Sequence, residues 1–167
     1  SEHRHSEAYS RLLEVLGCVG EFENILDIPV FKKRYHVLKD YLNENKDNVM
    51  EKLLFFTLVV ENASLFSQFA TILYFSRFKG YMKNVANIIA WSSIDELNHS
   101  LSGTYILNII FSENPEMRNK AENEAAAFIQ EYIKMEDELL DWIFEQGELE
   151  HVKKKDLGNY MRYRLNN

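Results

Sequence analysis

The amino-acid sequence predicts an all-α fold of one domain, and its composition and length support that prediction. Only 6 Gly and 2 Pro occur among 167 residues, whereas an all-β sandwich or barrel needs turn residues about every 8–12 positions. The chain is 46% hydrophobic and rich in aromatic residues, which is untypical of a disordered polypeptide. Its length suits one domain. A single domain built from a few long helices is therefore expected.

The first half of the chain predicts three helices, which cover residues 2–21, 30–46 and 47–78. The first ends near Gly17 and Gly20, because glycine is common where helices stop. The second begins just after Pro29, whose fixed φ suits a helix start. Asp47 or Asn48 is the expected N-cap of the third helix, which is strongly apolar.

The second half predicts three more helices, which cover residues 82–112, 115–146 and 153–165. Gly80 separates the first of them from the preceding helix. Asn114 and Pro115 supply a cap and a first-turn residue for the middle helix, and Gly147 ends it. Short connections between long helices predict neighbours that run antiparallel.

Charge and cysteine content narrow the classes of function. The formal net charge of −7 argues against a nucleic-acid partner, and the single cysteine excludes an internal disulfide and suits the cytoplasm.

Residues 53–75 are long and apolar enough to cross a membrane, with Glu61 as their only charged residue. A carboxylate is costly at bilayer depth, and the central helix of a bundle has the same composition. We therefore expect a cytoplasmic protein that contacts neither membrane nor nucleic acid.

The pattern Glu-x-x-His places a carboxylate and an imidazole on one helix face, where they could bind a metal together. It occurs three times, as Glu2/His5, Glu96/His99 and Glu148/His151. The middle pair lies in a helix rich in Ile, Leu and Ala, where both groups are costly to bury unless they are paired or bind a ligand. A structural Glu–His pair is the alternative there. The last pair precedes a run of lysines, which indicates a solvent-exposed position without a metal.

The first Glu-x-x-His pair and the single carboxylate Glu61 complete the pattern. Glu2 and His5 open a helix with one apolar face, although a frayed first turn with exposed charges is the alternative. Glu61 lies within a stripe of leucines, where it needs a partner such as a metal, a core cation or a proton. In di-iron and di-manganese carboxylate bundles, two helices each give one Glu and two others each give Glu-x-x-His. The chain supplies five of these six ligands in order, so we predict a ferritin-like bundle with a dinuclear metal–carboxylate site. Its N-terminal helices and first carboxylate are expected to lie upstream of Ser1.

Three passages resemble a known family. Residues 2–9 read E-x-x-H-S-x-x-Y, residues 61–70 surround a carboxylate in an apolar helix, and residues 95–104 read D-E-x-x-H followed by G-T. Their combination resembles the small, radical-generating subunit of class I ribonucleotide reductase, over most of residues 1–165. Each passage is short, but the three in this order are specific.

The resemblance implies a role for nine residues. The implied metal ligands are Glu2, His5, Glu61, Glu96 and His99. Tyr9 matches the tyrosine that holds a stable radical, and Asp95 matches an aspartate that hydrogen-bonds a metal-bound histidine on the route of radical transfer. Leu65 and Phe69 match the apolar pocket around the radical, although the family commonly has Phe at the position of Leu65.

The resemblance also implies an activity, cofactors and partners. A dinuclear metal centre, iron first and manganese or a mixed pair as alternatives, would activate O₂ and generate a tyrosyl radical. The radical would pass to a large subunit that reduces ribonucleotides to deoxyribonucleotides. Residues 1–167 would be one partial domain, without the upstream helices and the C-terminal tail. It would assemble as a homodimer or with a companion polypeptide that supplies the first carboxylate.

Two other classes of protein fit parts of the pattern. The ligand set alone also suits another ferritin-like metal protein, such as an O₂-dependent oxidase or hydroxylase or an iron store. A metal-free helical interaction protein is the alternative from outside the metalloproteins. Tyr9, the context of Ser6 and Asp95 favour the reductase over the other ferritin-like metal proteins. Metal analysis would distinguish the metal-free alternative.

Overall fold

The computed structural model describes residues 2–42 and 49–166, apart from the side chains of residues 2, 41, 42, 51 and 124. Within those ranges the chain is helical almost throughout and contains no strand, so the all-α prediction is confirmed. The α-helices are α1 (Glu2–Leu16), α2 (Val19–Glu23), α3 (Pro29–Leu42), α4 (Val49–Phe55), α5 (Leu65–Lys79), α6 (Lys83–Glu113), α7 (Pro115–Ile143) and α8 (Lys154–Leu165). A 3₁₀ turn covers Ile25–Asp27, and a π-helical segment covers Phe56–Ser64.

The first predicted helix is wrong as one element, because the chain breaks after Leu16. Gly17 adopts a left-handed conformation with φ of 71°, which a residue with a side chain rarely adopts. The N–H of Cys18 then bonds the carbonyl oxygen of Leu13 at 2.9 Å, which closes the helix end. The second predicted helix begins at Pro29, and the caps predicted at Asp47 and Asn48 lie outside the described residues.

The third predicted helix is continuous between residues 49 and 79 but is not α-helical throughout. Its middle, Phe56–Ser64, is π-helical, and the N–H of Leu65 accordingly bonds the carbonyl oxygen of Val60, five residues earlier. π-Helical turns are rare and occur mostly at functional sites. Gly80 ends the element with φ of 71°, as the sequence predicts.

The three helices of the second half lie within a few residues of their predicted bounds. The difference is greatest in α7, which ends at Ile143 and continues as a turn to residue 146. Asn114 holds the N-cap position of α7, but its side-chain amide bonds the carbonyl oxygen of Ile110 at 3.3 Å. It therefore caps the end of α6 rather than the start of α7.

Two apolar clusters position the helices around the π-helical segment. In the larger one, α4 and the π-helical segment pack against α7 and α8 through Phe55, Val59, Met135 and Met161. The smaller cluster joins α1 to α5 and α6, since Tyr9 packs against buried residues of both helices. Helix α6 also packs along the π-helical segment. As a result α1, the π-helical segment and α6 converge on one place.

The stretch Lys52–Lys79 is long and apolar enough to cross a membrane, judged by length and composition only. The core helix of a soluble protein passes the same test, and 44% of the most apolar part of this stretch is buried inside the protein. Its role as a core element therefore accounts for its composition.

Candidate metal centre

The carboxylate of Glu96 lies between two imidazoles. Its Oε1 is 3.3 Å from Nδ1 of His5, and its Oε2 is 3.3 Å from Nδ1 of His99. His99 follows Glu96 by three residues on α6, so the helix itself places these two side chains side by side. His5 comes from α1. With only 6% of its surface exposed, Glu96 is held where one carboxylate can serve two metal ions.

Glu61 adds a second carboxylate from the π-helical segment. Its Oε1 is 3.7 Å from Nδ1 of His99, and ligand atoms of Glu61, Glu96 and His99 all lie within 4.8 Å of one another. Neighbouring ligands of one ion are about 3 Å apart when each lies about 2.1 Å from it. The contacts of 3.3 and 3.7 Å therefore approach the spacing of a metal site. Two carboxylates and two imidazoles also form a donor set that suits iron and manganese.

Asp95 approaches His5 from the side of the ring opposite Glu96. Its Oδ2 is 3.2 Å from Nε2 of His5, while Nδ1 of His5 is directed at Glu96. A carboxylate at this position fixes the tautomer and orientation of a metal-binding imidazole. The side chain of Glu2 lies outside the described part of the structure, so the position of this predicted ligand stays a prediction.

Tyr9 lies one helical turn after His5 in an apolar pocket. Leu65 and Phe69 border this pocket with Tyr9, and Phe69 is buried. The hydroxyl of Tyr9 donates a hydrogen bond to Oγ of Ser92 at 3.0 Å. Burial raises the pKa of Tyr9 above its ordinary value, the hydrogen bond to Ser92 lowers it, and the negative charge of Glu96 raises it. The phenol is therefore neutral and protonated at physiological pH.

The third Glu-x-x-His pair forms no such cluster in the described residues. The side chain of Glu148 accepts a hydrogen bond from the backbone N–H of Lys154, and the ring of His151 lies 4.8 Å from that of Phe78. Both residues are solvent-exposed. Identical spacing thus leads to different surroundings, because one pair lies on a core helix and the other precedes α8.

Sequence reasoning missed two features of the site. The first is the contact of Ser92, which is 1% exposed in the structure, with Tyr9. Its signal in the sequence is the position of Ser92 one helical turn before Glu96. The π-helical conformation around Glu61 had no signal, because the apolar pattern of Phe56–Ser64 is equally compatible with an α-helix.

A sequence profile of a known family decides what kind of protein carries this site. The profile described as ribonucleotide reductase, small chain, matches residues 1–167. The chain belongs to the ribonucleotide reductase small-chain family. Members of this family generally carry a dinuclear metal centre and a tyrosyl radical, and the ferritin-like all-α architecture accords with the helices described above.

Two viral proteins are among the relatives of this reductase-family chain. It is 30% identical over 122 residues to the probable ribonucleoside-diphosphate reductase small subunit 048L of Invertebrate iridescent virus 3, which covers 72% of this chain and 32% of the relative. It is 25% identical over 162 residues to the probable small subunit 376L of Invertebrate iridescent virus 6, which covers 85% of this chain and 45% of that relative. The chain thus spans less than half the length of these relatives.

Proposed function

We propose that this chain contributes the metal centre and the radical-bearing tyrosine of a ribonucleotide reductase small subunit. The observation that carries the proposal is the position of the Glu96 carboxylate, 3.3 Å from each of two imidazoles that come from different helices. Tyr9 lies one turn from one of those imidazoles, in a pocket lined by apolar side chains. Candidate metal ligands and an oxidisable phenol therefore lie close together.

The described side chains fit a dinuclear centre. His5 and His99 would hold the metal ions through Nδ1, together with the carboxylates of Glu96 and Glu61. Glu2 is proposed as a further ligand from the start of α1. When bound, such a centre supplies O₂ activation and a one-electron oxidant. We propose iron as the metal, with manganese or a mixed pair as the alternatives.

The roles of the other residues follow from their contacts. A phenol with its ordinary pKa is already protonated at neutral pH, and burial raises the pKa of Tyr9 further, so removal of an electron from Tyr9 has to be accompanied by loss of its proton. The hydrogen bond from the Tyr9 hydroxyl to Oγ of Ser92, at 3.0 Å, holds the phenol in one orientation. Leu65 and Phe69 keep water from the phenoxyl that results. Asp95 holds His5 in one tautomer and links the site to the surface groove in which it lies.

The partners of the chain follow from the family and from its incomplete set of ligands. We propose that a large subunit receives the radical and reduces ribonucleotides to deoxyribonucleotides in the cytoplasm. The sixth ligand, a carboxylate, is proposed to come from outside residues 1–167, and a homodimer or an assembly with a companion polypeptide completes the protein. A stable two-metal site in residues 1–167 alone would contradict this part of the proposal.

Electron paramagnetic resonance tests the role of Tyr9. The complete protein is loaded with Fe²⁺ without oxygen and then exposed to O₂, and the unaltered protein is expected to give a sharp tyrosyl radical signal. The variant Tyr9→Phe is expected to lose that signal, because Phe has no oxidisable hydroxyl. Tyr105→Phe is the matched control, since Tyr105 is 68% exposed on α6, and it should keep the signal.

Two results would contradict the proposal. A tyrosyl signal that persists in Tyr9→Phe would move the radical to another residue. Iron uptake well beyond two ions per chain, without any radical, would instead favour an iron store of the ferritin-like class. Product analysis with the large subunit then separates the reductase from an oxidase or hydroxylase.

A further inference from the structure

The end of α8 holds the π-helical segment by a reciprocal set of hydrogen bonds. Nε of Arg164 donates to the backbone oxygen of Asn62 at 2.8 Å, and Nη2 of Arg164 donates to Oδ1 of Asn62 at 2.9 Å. In return, Nδ2 of Asn62 donates to the backbone oxygen of Arg164 at 2.6 Å. The guanidinium also lies 3.9 Å from the ring centroid of Phe66, in cation–π contact. One arginine thus contacts both the main chain and the side chain of a single residue.

Asn62 directly follows Glu61, the candidate metal ligand of the π-helical segment. Both residues lie within Phe56–Ser64. A π-helix bonds residue i to i+5 rather than i+4, so it carries about one more residue per turn than an α-helix. A return to α-helical geometry would rotate Glu61 relative to α6 and move its carboxylate away from His99.

Two other contacts hold the same segment from different sides. Oγ of Ser64 accepts a hydrogen bond from Nη2 of Arg34 at 3.1 Å, and Arg34 is itself paired with the buried carboxylate of Glu136. At the other end, Thr57 packs directly on Gly103 of α6. The bonds to Arg164 lie between these two contacts, and they are the ones next to Glu61.

We propose that Arg164 is a positioning residue for Glu61, which holds the π-helical register that directs this carboxylate at His99 and Glu96. The proposal rests on the metal site proposed above. Arginine is required because its planar fork donates from Nε and Nη2 at the same time, which the single Nζ of lysine cannot do. Loss of a group that orients a metal ligand typically weakens metal binding by about 10–100-fold.

The test compares Arg164→Met with Arg162→Met in the complete protein. Both variants remove one positive charge from α8 and keep an apolar stem, but Arg162 pairs with Asp137 of α7, at 2.6 Å, rather than with the π-helical segment. Metal affinity is measured by titration with Mn²⁺, whose free form gives a six-line paramagnetic signal. Hydrogen exchange of the amides of residues 56–64 is measured on the metal-free protein.

Arg164→Met is expected to speed amide exchange in residues 56–64 and to weaken Mn²⁺ binding by about 10–100-fold. Arg162→Met should change neither. Arg164→Lys, a second variant that keeps the charge, should resemble Arg164→Met. Asn62→Ala should weaken binding less, because Nε of Arg164 still reaches the backbone oxygen of residue 62. Adding it to Arg164→Met should weaken binding further, because Arg164→Met keeps the backbone oxygen to which Nδ2 of Asn62 donates.

The outcomes separate the two proposals. Equal Mn²⁺ affinities of Arg164→Met and Arg162→Met would overturn the role of Arg164, as would full retention of affinity in Arg164→Lys. An unaltered protein that binds no metal would overturn the proposed function instead, and with it the assignment of Glu61 as the ligand that Arg164 positions.

Discussion

Replacing Gly103 by alanine places a methyl group against the π-helical segment. The new Cβ would lie 2.9 Å from Cγ2 and 3.1 Å from Cβ of Thr57, and closer still to its hydroxyl oxygen. Thr57 is 1% exposed and cannot swing into solvent. Overpacking of this kind costs about 1–3 kcal/mol, whereas the better helix propensity of alanine returns about 0.5–1 kcal/mol. We expect a net loss of about 1 kcal/mol in the free energy of unfolding.

Urea denaturation measures this loss, with Gly20→Ala as the matched control. Gly20 is helical, and a Cβ at its position would meet nothing within 4 Å, so that variant should be unchanged or slightly more stable. Adding Thr57→Ala to Gly103→Ala should restore part of the loss, because it removes the atoms that clash. Equal unfolding free energies for Gly103→Ala and Gly20→Ala would refute the reasoning, since they would mean that α6 moves away from the segment without cost.

Two further predictions concern the metal ligands and the response to alkali. His99→Ala should reduce the metal content of the complete protein, determined by plasma mass spectrometry, whereas His151→Ala should leave it unchanged; equal losses would contradict the assignment of the site. Burial raises the pKa of Tyr132 well above its ordinary value, and the charge of Glu136 raises it further. The folded protein therefore holds this proton more tightly than the unfolded chain, so the free energy of unfolding should fall as the pH rises above about 10. Tyr132→Phe should reduce that fall and Tyr163→Phe, at an exposed position, should not; an unchanged slope in Tyr132→Phe would contradict the prediction.

The local features of the fold are predictable where they depend on neighbouring residues in the chain. Gly17 and Gly80 end helices because each adopts a positive φ, and Pro115 begins one. Glu96 and His99 share a helix face by their spacing alone. Sequence reasoning nevertheless predicted one helix over residues 2–21. In the structure Gly17 separates that range into α1 and α2.

Contacts between distant segments are not encoded in any local pattern. Tyr9 and Ser92 are 83 residues apart in the chain, yet the apolar packing of α1 on α6 brings the Tyr9 hydroxyl within 3.0 Å of Oγ of Ser92. The same holds for Arg34 and Glu136, a buried pair whose partners look like ordinary surface charges in the sequence. Their pairing depends on which helix faces meet.

The sequence by itself determines the all-α class, most of the helix ends and the residues that could bind metal, because these depend on propensity and on spacing along one helix. Only the tertiary structure decides that Glu96 lies between His5 and His99, and that residues 56–64 adopt a π-helix. In the structure this segment packs on Gly103 through Thr57 and accepts a hydrogen bond from Nε of Arg164 at the backbone oxygen of Asn62, and both partners are distant in the chain. The conformation of residues 56–64 therefore cannot be predicted from their own sequence, because it forms in contact with α6 and α8.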